Sequence, residues 1–315
     1  MLNTNAEVDD VTVTRGREVI AELGYVPSSR AVGLARGNSR TVGMLVPSLA
    51  WPWRGEVLQG AADTVEAAGY GLLLFTCNRG GESVQRFTGQ VSTRAFDGLL
   101  VVEPENTLGA IIAIIAMRRR GLPAFLIDDR GCHPEFPSVV TTNHEGGVSA
   151  ARHLLSAGRR RPLVITEPLR FGCARDRLAG FRSACAEHGI ELASDVVVEG
   201  DFTEHSGHHA VQQLLRRSVG FDAVFAHNDL SAAGALRALR AAGRPAPDDV
   251  AVVGFDDIPM DRHTDPALTT VRQPMRQTGG TAARVLLGHL AGVAAPNQPA
   301  APHTELVVRS SAPGP

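Results

Sequence analysis

The sequence contains no lysine, so all 31 of its Lys and Arg positions are arginine. Its formal net charge is -2 at pH 7, which excludes binding of polyanions through overall charge. Between residues 15 and 40, however, arginines outnumber the two glutamates, Glu18 and Glu22. A basic segment ahead of a near-neutral body suits contact with phosphates, although solvated linkers are often basic too.

Cysteine pairs and long apolar runs are also missing. The opening segment, MLNTNAEVDD, is polar and acidic and shows no secretory signal. The apolar run Ile111–Met117 is too short to span a bilayer and predicts a buried helix. The four cysteines form neither a CxxC pair nor a disulfide framework, and we expect reduced thiols in a cytoplasmic protein: Cys77, Cys132, Cys173 and Cys185.

Signatures of common enzyme sites are absent as well. There is no GxSxG elbow, no GxxxxGK[ST] phosphate loop and no GxGxxG after a strand. Asp256 and Asp257 have the composition of paired carboxylates for hydrolysis, but adjacent side chains usually point in different directions. We therefore expect no enzymatic turnover and no cofactor.

One histidine-rich segment has the spacing of metal ligands. EHSGHH places Glu204, His205, His208 and His209 at helical intervals. Zinc usually requires further ligands elsewhere, and the cysteine spacing offers none. We expect exposed histidines at the start of a helix and no metal site.

From Thr41 onward, short apolar runs alternate with helical patterns. The runs are rich in Val, Ile, Leu and Phe without polar alternation, which is typical of strands buried on both faces. They are TVGMLVPS, GYGLLLFT, FDGLLVVEP, LPAFLIDD, SVVTTN, RPLVITE, DVVVEGD, FDAVFAHND and DVAVVGFDD. Four predicted helices end at a glycine: Gly55–Ala68, Gly147–Ala157, Leu178–His188 and Ser231–Ala242. The pattern predicts an α/β fold with two lobes, each a doubly wound parallel sheet.

Polar residues follow many of the predicted strands. Ligands of such sheets bind outside the carboxyl ends of the strands, so these residues are candidates for ligand contact. Carboxylates and amides beside aromatic rings suit a neutral ligand with many hydroxyl groups. Each position alone can equally be a helix cap or a turn former. The polar residues are Ser48, Asp128, Glu167, Asn228 and Asp256, and the nearby aromatic residues are Trp51, Trp53 and Phe202.

A series of segments, in this order, resembles the lac-repressor/Gal-repressor (LacI/GalR) family of bacterial transcription regulators. They are ELGYVPSS, TVGMLVPSL, GLPAFLIDD, ARDRLAGF, AVFAHNDLSAAGALRAL, DVAVVGFDDIP, LTTVRQP and TELVVRSS. The resemblance covers about Val19 to Ser311. It implies two periplasmic-binding-protein-like lobes of type I that are crossed by three strands and close around a small effector.

The resemblance also implies domain limits. We expect a remnant of a helix-turn-helix DNA-binding domain at 1–27 and a hinge helix or linker at 28–40. The N-terminal lobe would comprise 41–142 plus about 274–300. The C-terminal lobe would comprise 143–273 plus about 301–311.

Effector contacts carry over residue by residue. The guanidinium of Arg175, in ARDRLAGF, would donate hydrogen bonds to sugar oxygens or pair with a carboxylate or phosphate. The alternative is a surface arginine paired with Asp176. The complete set of implied ligand contacts is Ser48, Trp53, Asp128, Arg175, Phe202, Asn228, Asp256 and Gln273.

The isolated Leu34 corresponds to a family leucine that inserts between base pairs in the minor groove of an operator. Such apolar wedges kink DNA. The alternative is a flexible basic linker whose leucine packs against the first lobe. The implied DNA contacts of the hinge are Ser28, Arg30, Ala31, Leu34 and Arg36.

The function implied is a homodimeric, effector-responsive repressor that senses a sugar or sugar derivative and binds operator DNA. The segment before ELGYVP is too short for the three helices of a helix-turn-helix domain; Val11–Arg15 resembles only the tail of its recognition helix. Two explanations stay open, a start codon placed too far downstream or a loss of DNA binding. The alternatives are therefore a stand-alone cytoplasmic sugar sensor and, disfavoured by the missing signal and the retained hinge, an extracytoplasmic sugar-binding protein.

Overall fold

The computed structural model describes residues 9–24, 38–79, 81–90, 95–103, 115, 117, 121–128, 136–293 and 299–314. The first sheet contains β1 Thr41–Val46, β2 Gly71–Thr76, β3 Gly98–Val102, β4 Ala124–Ile127 and β5 Ser138–Val139. The second contains β6 Pro162–Thr166, β7 Val197–Glu199, β8 Ala223–Ala226, β9 Ala251–Asp256, β10 Thr269–Arg272 and β11 Glu305–Val307. The α-helices are α1 Asp10–Glu22, α2 Pro52–Ala67, α3 Gly81–Gln90, α4 Asn143–Ser156, α5 Gly172–Glu187, α6 Glu204–Arg216, α7 Asp229–Ala241 and α8 Met275–Leu290.

The two sheets are almost entirely parallel. Their strand orders are β2-β1-β3-β4-β5 and β11-β10-β9-β8-β6-β7. Only the pairing of β10 with β11 is antiparallel among the strands that the structure describes. The predicted α/β class with two lobes is confirmed, and each of the predicted apolar runs contains a strand. Two further strands, β10 and β11, complete the second sheet.

Most strands are buried on both faces, as their composition predicts. Neighbouring residues of one strand enter different hydrophobic cores: Met44 and Leu45 of β1 lie on opposite faces of the first sheet. Val224 and Phe225 of β8 do the same in the second sheet. The expectation of two buried faces is wrong for β2 and β7, which are half-exposed because both lie at a sheet edge.

The predicted glycine stops of the helices are confirmed. Gly69, Gly158, Gly189 and Gly243 follow α2, α4, α5 and α7 and have φ values of +73°, +80°, +71° and +69°. A residue with a side chain is strained in this conformation, so glycine is favoured there. All four helices begin two to six residues before the predicted start. Their first turns contain polar, proline or glycine residues, which interrupt the apolar spacing on which the prediction relied.

The chain connects the two lobes at three places. β5 leads through residues 140–142 into α4, β10 leads through Gln273 into α8, and α8 leads back to β11. α8 packs on the first sheet, where Met275 and Leu286 lie in one core with Val57. The three connections are hydrogen-bonded to one another. Thr141 Oγ1 donates to Gln273 Oε1 at 2.7 Å, and the backbone N–H of Thr304 donates to Thr142 Oγ1 at 2.8 Å.

At the N-terminus, α1 begins after Asp9, whose carboxylate accepts from the backbone N–H of Thr12 at 2.8 Å. The segment Val11–Arg15 lies inside this helix. Cys132, most of Ile111–Met117 and all five predicted hinge contacts lie outside the described residues: Ser28, Arg30, Ala31, Leu34 and Arg36. Among the helices that the structure describes, none is long and apolar enough to cross a membrane.

Candidate functional site

The polar residues that end the strands meet where the carboxyl ends of the two sheets face each other. In the first lobe these are Ser48 after β1, Glu103 after β3 and Asp128 after β4. The second lobe contributes Glu167 after β6, Asn228 after β8, Asp256 at the end of β9 and Gln273 after β10. We call the space between them the cleft. Parallel strands place their carboxyl ends at one sheet edge, so residues distant in sequence meet here.

Arg177 of α5 is the buried centre of the cleft, with an exposed fraction of 4%. Its Nε donates to Asn143 Oδ1 at 2.8 Å, and its Nη1 donates to Glu167 Oε2 at 3.3 Å and to the backbone carbonyl of His227. Its Nη2 lies 3.9 Å from Asp256 Oδ1. The guanidinium also lies 3.9 Å from the centroid of the Phe255 ring. These contacts come from the ends of three strands and from one neighbouring helix, and they hold the arginine in one orientation.

Burial dominates the protonation of these groups. It raises the pKa of Glu167 well above its usual value and that of Asp256 to about 7, and the charge of Arg177 offsets only part of each shift. Burial and the neighbouring Arg177 hold the pKa of His227 well below its usual value, so this imidazole is neutral. The cleft therefore contains an arginine that stays charged and carboxyls whose charge depends on what lies beside them.

Asp256 is joined to the lobe connections. Gln273 Nε2 donates to Asp256 Oδ1 at 2.6 Å, and Gln273 Oε1 accepts from Thr141 Oγ1. The backbone φ of Asp256 is +119°, a conformation that side-chain-bearing residues rarely adopt. The chain of hydrogen bonds therefore runs from the cleft into two of the three connections.

Asn228 caps α7 and also positions Phe202. Its Oδ1 accepts from the backbone N–H of Ser231 at 3.1 Å, and its Nδ2 donates to the carbonyl of Phe202 at 2.8 Å. Phe202 has a φ of +71°, which is uncommon for a residue with a side chain, and the hydrogen bond from Asn228 stabilises this turn. Asn228 therefore joins the start of α7 to the turn at Phe202, and its role as a ligand contact stays a prediction.

An aromatic wall spans the two lobes. The Trp51 ring of the first lobe contacts the Phe202 ring of the second edge-to-face, with centroids 5.0 Å apart. The ring of Phe171, directly before α5, also contacts the Phe202 ring edge-to-face, with centroids 5.3 Å apart. Trp53 is placed differently, because it packs against the hydrophobic core of the first lobe. Trp53 as a ligand contact stays a prediction, and Trp51 is the tryptophan that reaches the other lobe.

The two arginines of ARDRLAGF differ in environment. Arg175 is exposed, and its Nη1 donates to the carbonyls of Leu169 and Arg170, both at 2.8 Å. Its role as a ligand contact stays a prediction, whereas the geometry favours Arg177. A signal for Arg177 exists in the sequence: it lies four residues after Cys173 and four before Phe181, both buried on the same helix face.

Sequence reasoning also missed a buried ion pair in the first lobe. Arg54 Nε donates to Glu103 Oε2 at 3.0 Å, and Arg54 Nη1 donates to the carbonyl of Ser48 at 2.9 Å. Burial raises the pKa of Glu103, and the charge of Arg54 opposes that shift. Arg54 fixes the loop that carries Ser48, whose hydroxyl accepts from the backbone N–H of Ala50 at 3.1 Å.

The histidine-rich segment forms the start of α6, and Glu204 pairs there with Arg237 at 3.3 Å. In the part of the chain that the structure describes, no group of three or more His, Cys, Asp and Glu residues is arranged to hold a metal ion.

Comparison with known proteins identifies the family. Residues 151–312 match the periplasmic binding protein-like domain. The HTH-type transcriptional repressor PurR of Erwinia tasmaniensis is 32% identical over 312 residues, which are 99% of this chain and 91% of that protein. The chain belongs to the LacI/GalR family of transcriptional regulators.

Solved structures of this family agree with the two-lobe fold. The structure of the lac repressor dimer bound to operator and the anti-inducer ONPF aligns with a TM-score of 0.87 at 26% identity, over 98% of this chain and 92% of that one. A complex of the transcriptional regulator CelR with cellobiose aligns with a TM-score of 0.81 at 32% identity, over 97% and 92% of the two chains. These relatives are transcriptional regulators and not enzymes.

Proposed function

We propose that this LacI/GalR-family chain is a cytoplasmic, homodimeric repressor whose effector, a sugar or sugar derivative, binds in the cleft. The observation that carries this proposal is the convergence of Arg177, Asp256, Asn228 and Asp128 at the facing edges of the two sheets. CelR is a regulator whose structure contains cellobiose, which supports a sugar as the class of ligand.

The residues of the cleft suit a ligand with several hydroxyl groups. The carboxylates of Asp128 and Asp256 accept hydrogen bonds from hydroxyls, and the guanidinium of Arg177 donates to ring or hydroxyl oxygens. Trp51 and Phe202 offer apolar ring surfaces for the C–H face of a sugar. Three further polar side chains fix the orientation of the ligand in the cleft: Ser48, Asn228 and Gln273.

Binding in the cleft acts on both lobes at once, because its contacts come from both sheets. A ligand that fits the closed arrangement better than the open one shifts the equilibrium toward closure. The first lobe begins at Thr41, directly after the predicted hinge, so a change in lobe arrangement moves the hinge segments of a dimer relative to each other. The predicted wedge residue Leu34 transmits this change to the operator.

The test is a gel-shift titration against DNA from upstream of its own gene, with this chain and a form extended to the preceding in-frame start, each as wild type and as Leu34→Ala. A regulator with several phosphate contacts loses about a thousand-fold in affinity between low and moderate salt. We expect specific retention at low salt, this steep salt dependence, and weaker specific binding by Leu34→Ala.

Retention of only the extended form places the start of the protein further upstream, whereas absence of retention of both forms at any salt contradicts the repressor. It leaves the alternative of a stand-alone sugar sensor, which ligand titration alone then tests. Equal binding of specific and unrelated DNA by both proteins contradicts the role of Leu34 as a wedge.

A further inference from the structure

Two aspartates of the second lobe are buried together beside the cleft. Asp229 is the first residue of α7, directly after its cap Asn228, and Asp261 lies in the short 3₁₀ turn Pro259–Arg262 that follows β9. Both residues have an exposed fraction of 0%, and their carboxyl groups are in hydrogen-bonding contact with each other. A hydrogen bond between two carboxyl groups needs a proton on one of them, because an ionised carboxylate is only an acceptor.

The hydrogen-bond donors around the two carboxyl groups are unevenly distributed. Asp229 Oδ2 accepts from the backbone N–H of Ile258 at 3.1 Å, and Asp229 Oδ1 accepts from Thr270 Oγ1 at 2.5 Å. The two carboxyl oxygens of Asp261 accept from no N–H or O–H group of the residues that the structure describes. Two buried carboxylates in contact are strongly unfavourable, so a proton shared between them stabilises the pair.

The charged groups near the pair do not remove the need for this proton. Burial raises the pKa of Asp261 to about 6; the carboxylates of Asp257 and Asp256 at the end of β9 raise it further, and Arg309, which follows β11, opposes them. Arg309 is already paired with Asp257. Burial and the contact with Asp261 raise the pKa of Asp229 well above its usual value. The pair therefore keeps a proton at a pH where ordinary aspartates have lost theirs.

The same two aspartates fix the turn that follows Asp256. Asp256 and Asp257 have φ values of +119° and +59°, and Ile258 comes directly after them. The N–H of Ile258 donates to Asp229, and the carbonyl of Ile258 accepts from the N–H of Asp261 at 3.0 Å. Such strained backbone persists only where its surroundings hold it, and here the two aspartates bind both polar groups of the next residue.

We propose that Asp229 and Asp261 share one buried proton and that this pair is what positions Asp256 in the cleft. Loss of the proton leaves two adjacent buried carboxylates, whose repulsion acts on the turn at Ile258. The cleft then loses the orientation of Asp256 as the pH rises, so effector binding weakens with it. The shared proton is independent of any ligand, whereas its consequence for binding rests on the proposed function.

The pair makes stability depend on pH in one direction. In the unfolded chain both aspartates titrate at their usual values, so the native state binds more protons wherever the pH lies between those values and the raised ones. The stability from the pair is complete below the usual aspartate range and is lost as the pH rises through about 6 and beyond. Asp261→Asn supplies Asp229 with an amide N–H donor that does not titrate.

Urea denaturation of wild type and Asp261→Asn at several values between about pH 5 and pH 8 tests the shared proton. We expect the folding equilibrium constant of wild type to fall by about tenfold or more relative to that of Asp261→Asn across this range. Asp256 and Glu167 also have raised pKa values, but both proteins contain them, so their contributions cancel in the ratio.

Two further variants complete this comparison. Asp261→Ala removes the second carboxyl group without replacing it and should be as insensitive to pH as Asp261→Asn, which keeps the test decisive if the amide does not fit. Asp265→Asn is the matched control four residues later, where the side chain is 81% exposed and pairs with Arg240. We expect its pH dependence to follow that of wild type.

Hydrogen exchange measured by mass spectrometry tests the positioning locally. The segment 256–262 contains the N–H of Ile258, which donates to Asp229. After correction for the intrinsic exchange rate at each pH, we expect wild type to lose protection in this segment as the pH rises, while Asp261→Asn retains it.

Two results overturn the inference. An equal pH dependence of stability in wild type, Asp261→Asn and Asp261→Ala excludes a shared proton. Protection of the segment 256–262 that stays constant with pH in wild type contradicts the positioning of Asp256 by the pair. Neither result bears on the gel-shift test of the repressor, because these measurements contain neither DNA nor ligand.

Discussion

At the scale of single residues, Arg177 combines binding with stability. Its guanidinium pairs with the buried Glu167 and lies among the residues proposed to bind the ligand, so Arg177→Ala leaves a buried acid without its cation. We expect ligand binding to be lost and the free energy of unfolding to fall by about 3–5 kcal/mol. Urea denaturation and ligand titration measure the two effects separately.

Arg175→Ala is the matched control two residues earlier on the same helix. Its guanidinium is exposed and contacts only loop carbonyls among the described residues, so we expect a loss of at most about 1 kcal/mol. If Arg175→Ala abolishes ligand binding and Arg177→Ala binds normally, then Arg175 and not Arg177 is the arginine that binds the ligand.

The difference between these two arginines shows what the sequence allows at this scale. Asp128, Asn228 and Asp256 are candidates from the sequence alone because each directly follows an apolar strand. Arg177 is not a candidate from the sequence alone, because its position depends on which face of α5 turns toward the sheet. Glu103 also ends a strand, but its pairing with Arg54 depends on how a loop folds after β1.

At the scale of elements, neighbouring helices pack through reciprocal glycines. A Cβ atom added at Gly60 of α2 would lie 1.9 Å from the carbonyl oxygen of Arg276, and one added at Gly279 of α8 would lie 2.0 Å from that of Val57. The pairs α4 with α5 and α6 with α7 repeat this arrangement through Gly147 with Gly180 and Gly207 with Gly234. Backbones that approach so closely leave no room for a methyl group.

This arrangement predicts opposite effects for two alanine substitutions in α8. Gly279→Ala should lower the free energy of unfolding by about 1–3 kcal/mol or more, because a backbone oxygen cannot yield as a side chain does. Gly288→Ala has nothing within 4 Å of the added atom and should raise it by about 0.5–1 kcal/mol through helix propensity. Urea denaturation of both variants measures the contrast, and equal effects would contradict the close helix crossing.

The elements themselves were largely predictable from the sequence. Strands buried on both faces are continuous apolar runs, and the C-terminal glycines of the helices need a positive φ, so both leave local signals. The helix starts leave weaker signals, because their first turns contain polar, proline or glycine residues that interrupt the apolar spacing. The close helix crossings were not predicted, since a glycine in a helix gives no sign of which backbone it meets.

At the scale of the whole molecule, the two lobes meet through the three connections and the Trp51–Phe202 contact. The family resemblance supplied the two-lobe arrangement, while local patterns supplied only the alternation of strands and helices. The hydrogen bonds of Gln273 to Asp256 and Thr141 depend on residues from three distant segments. Such contacts exist only in the assembled fold, which explains why the sequence pointed to Gln273 without revealing its partners.

The contact between the lobes can be observed through tryptophan emission, because the chain has only two tryptophans and Trp51 contacts Phe202 of the other lobe. Phe202→Ala removes the cover from the indole ring of Trp51, and indole emission moves to longer wavelength as water reaches the ring. We expect this red shift for Phe202→Ala in the wild-type background and in Trp53→Phe, whose remaining tryptophan is Trp51. In Trp51→Phe, the remaining Trp53 packs on the first-lobe core, so the same substitution should leave the emission maximum unchanged. A red shift that persists in Trp51→Phe would place the change at Trp53 and would contradict a direct Trp51–Phe202 contact between the lobes.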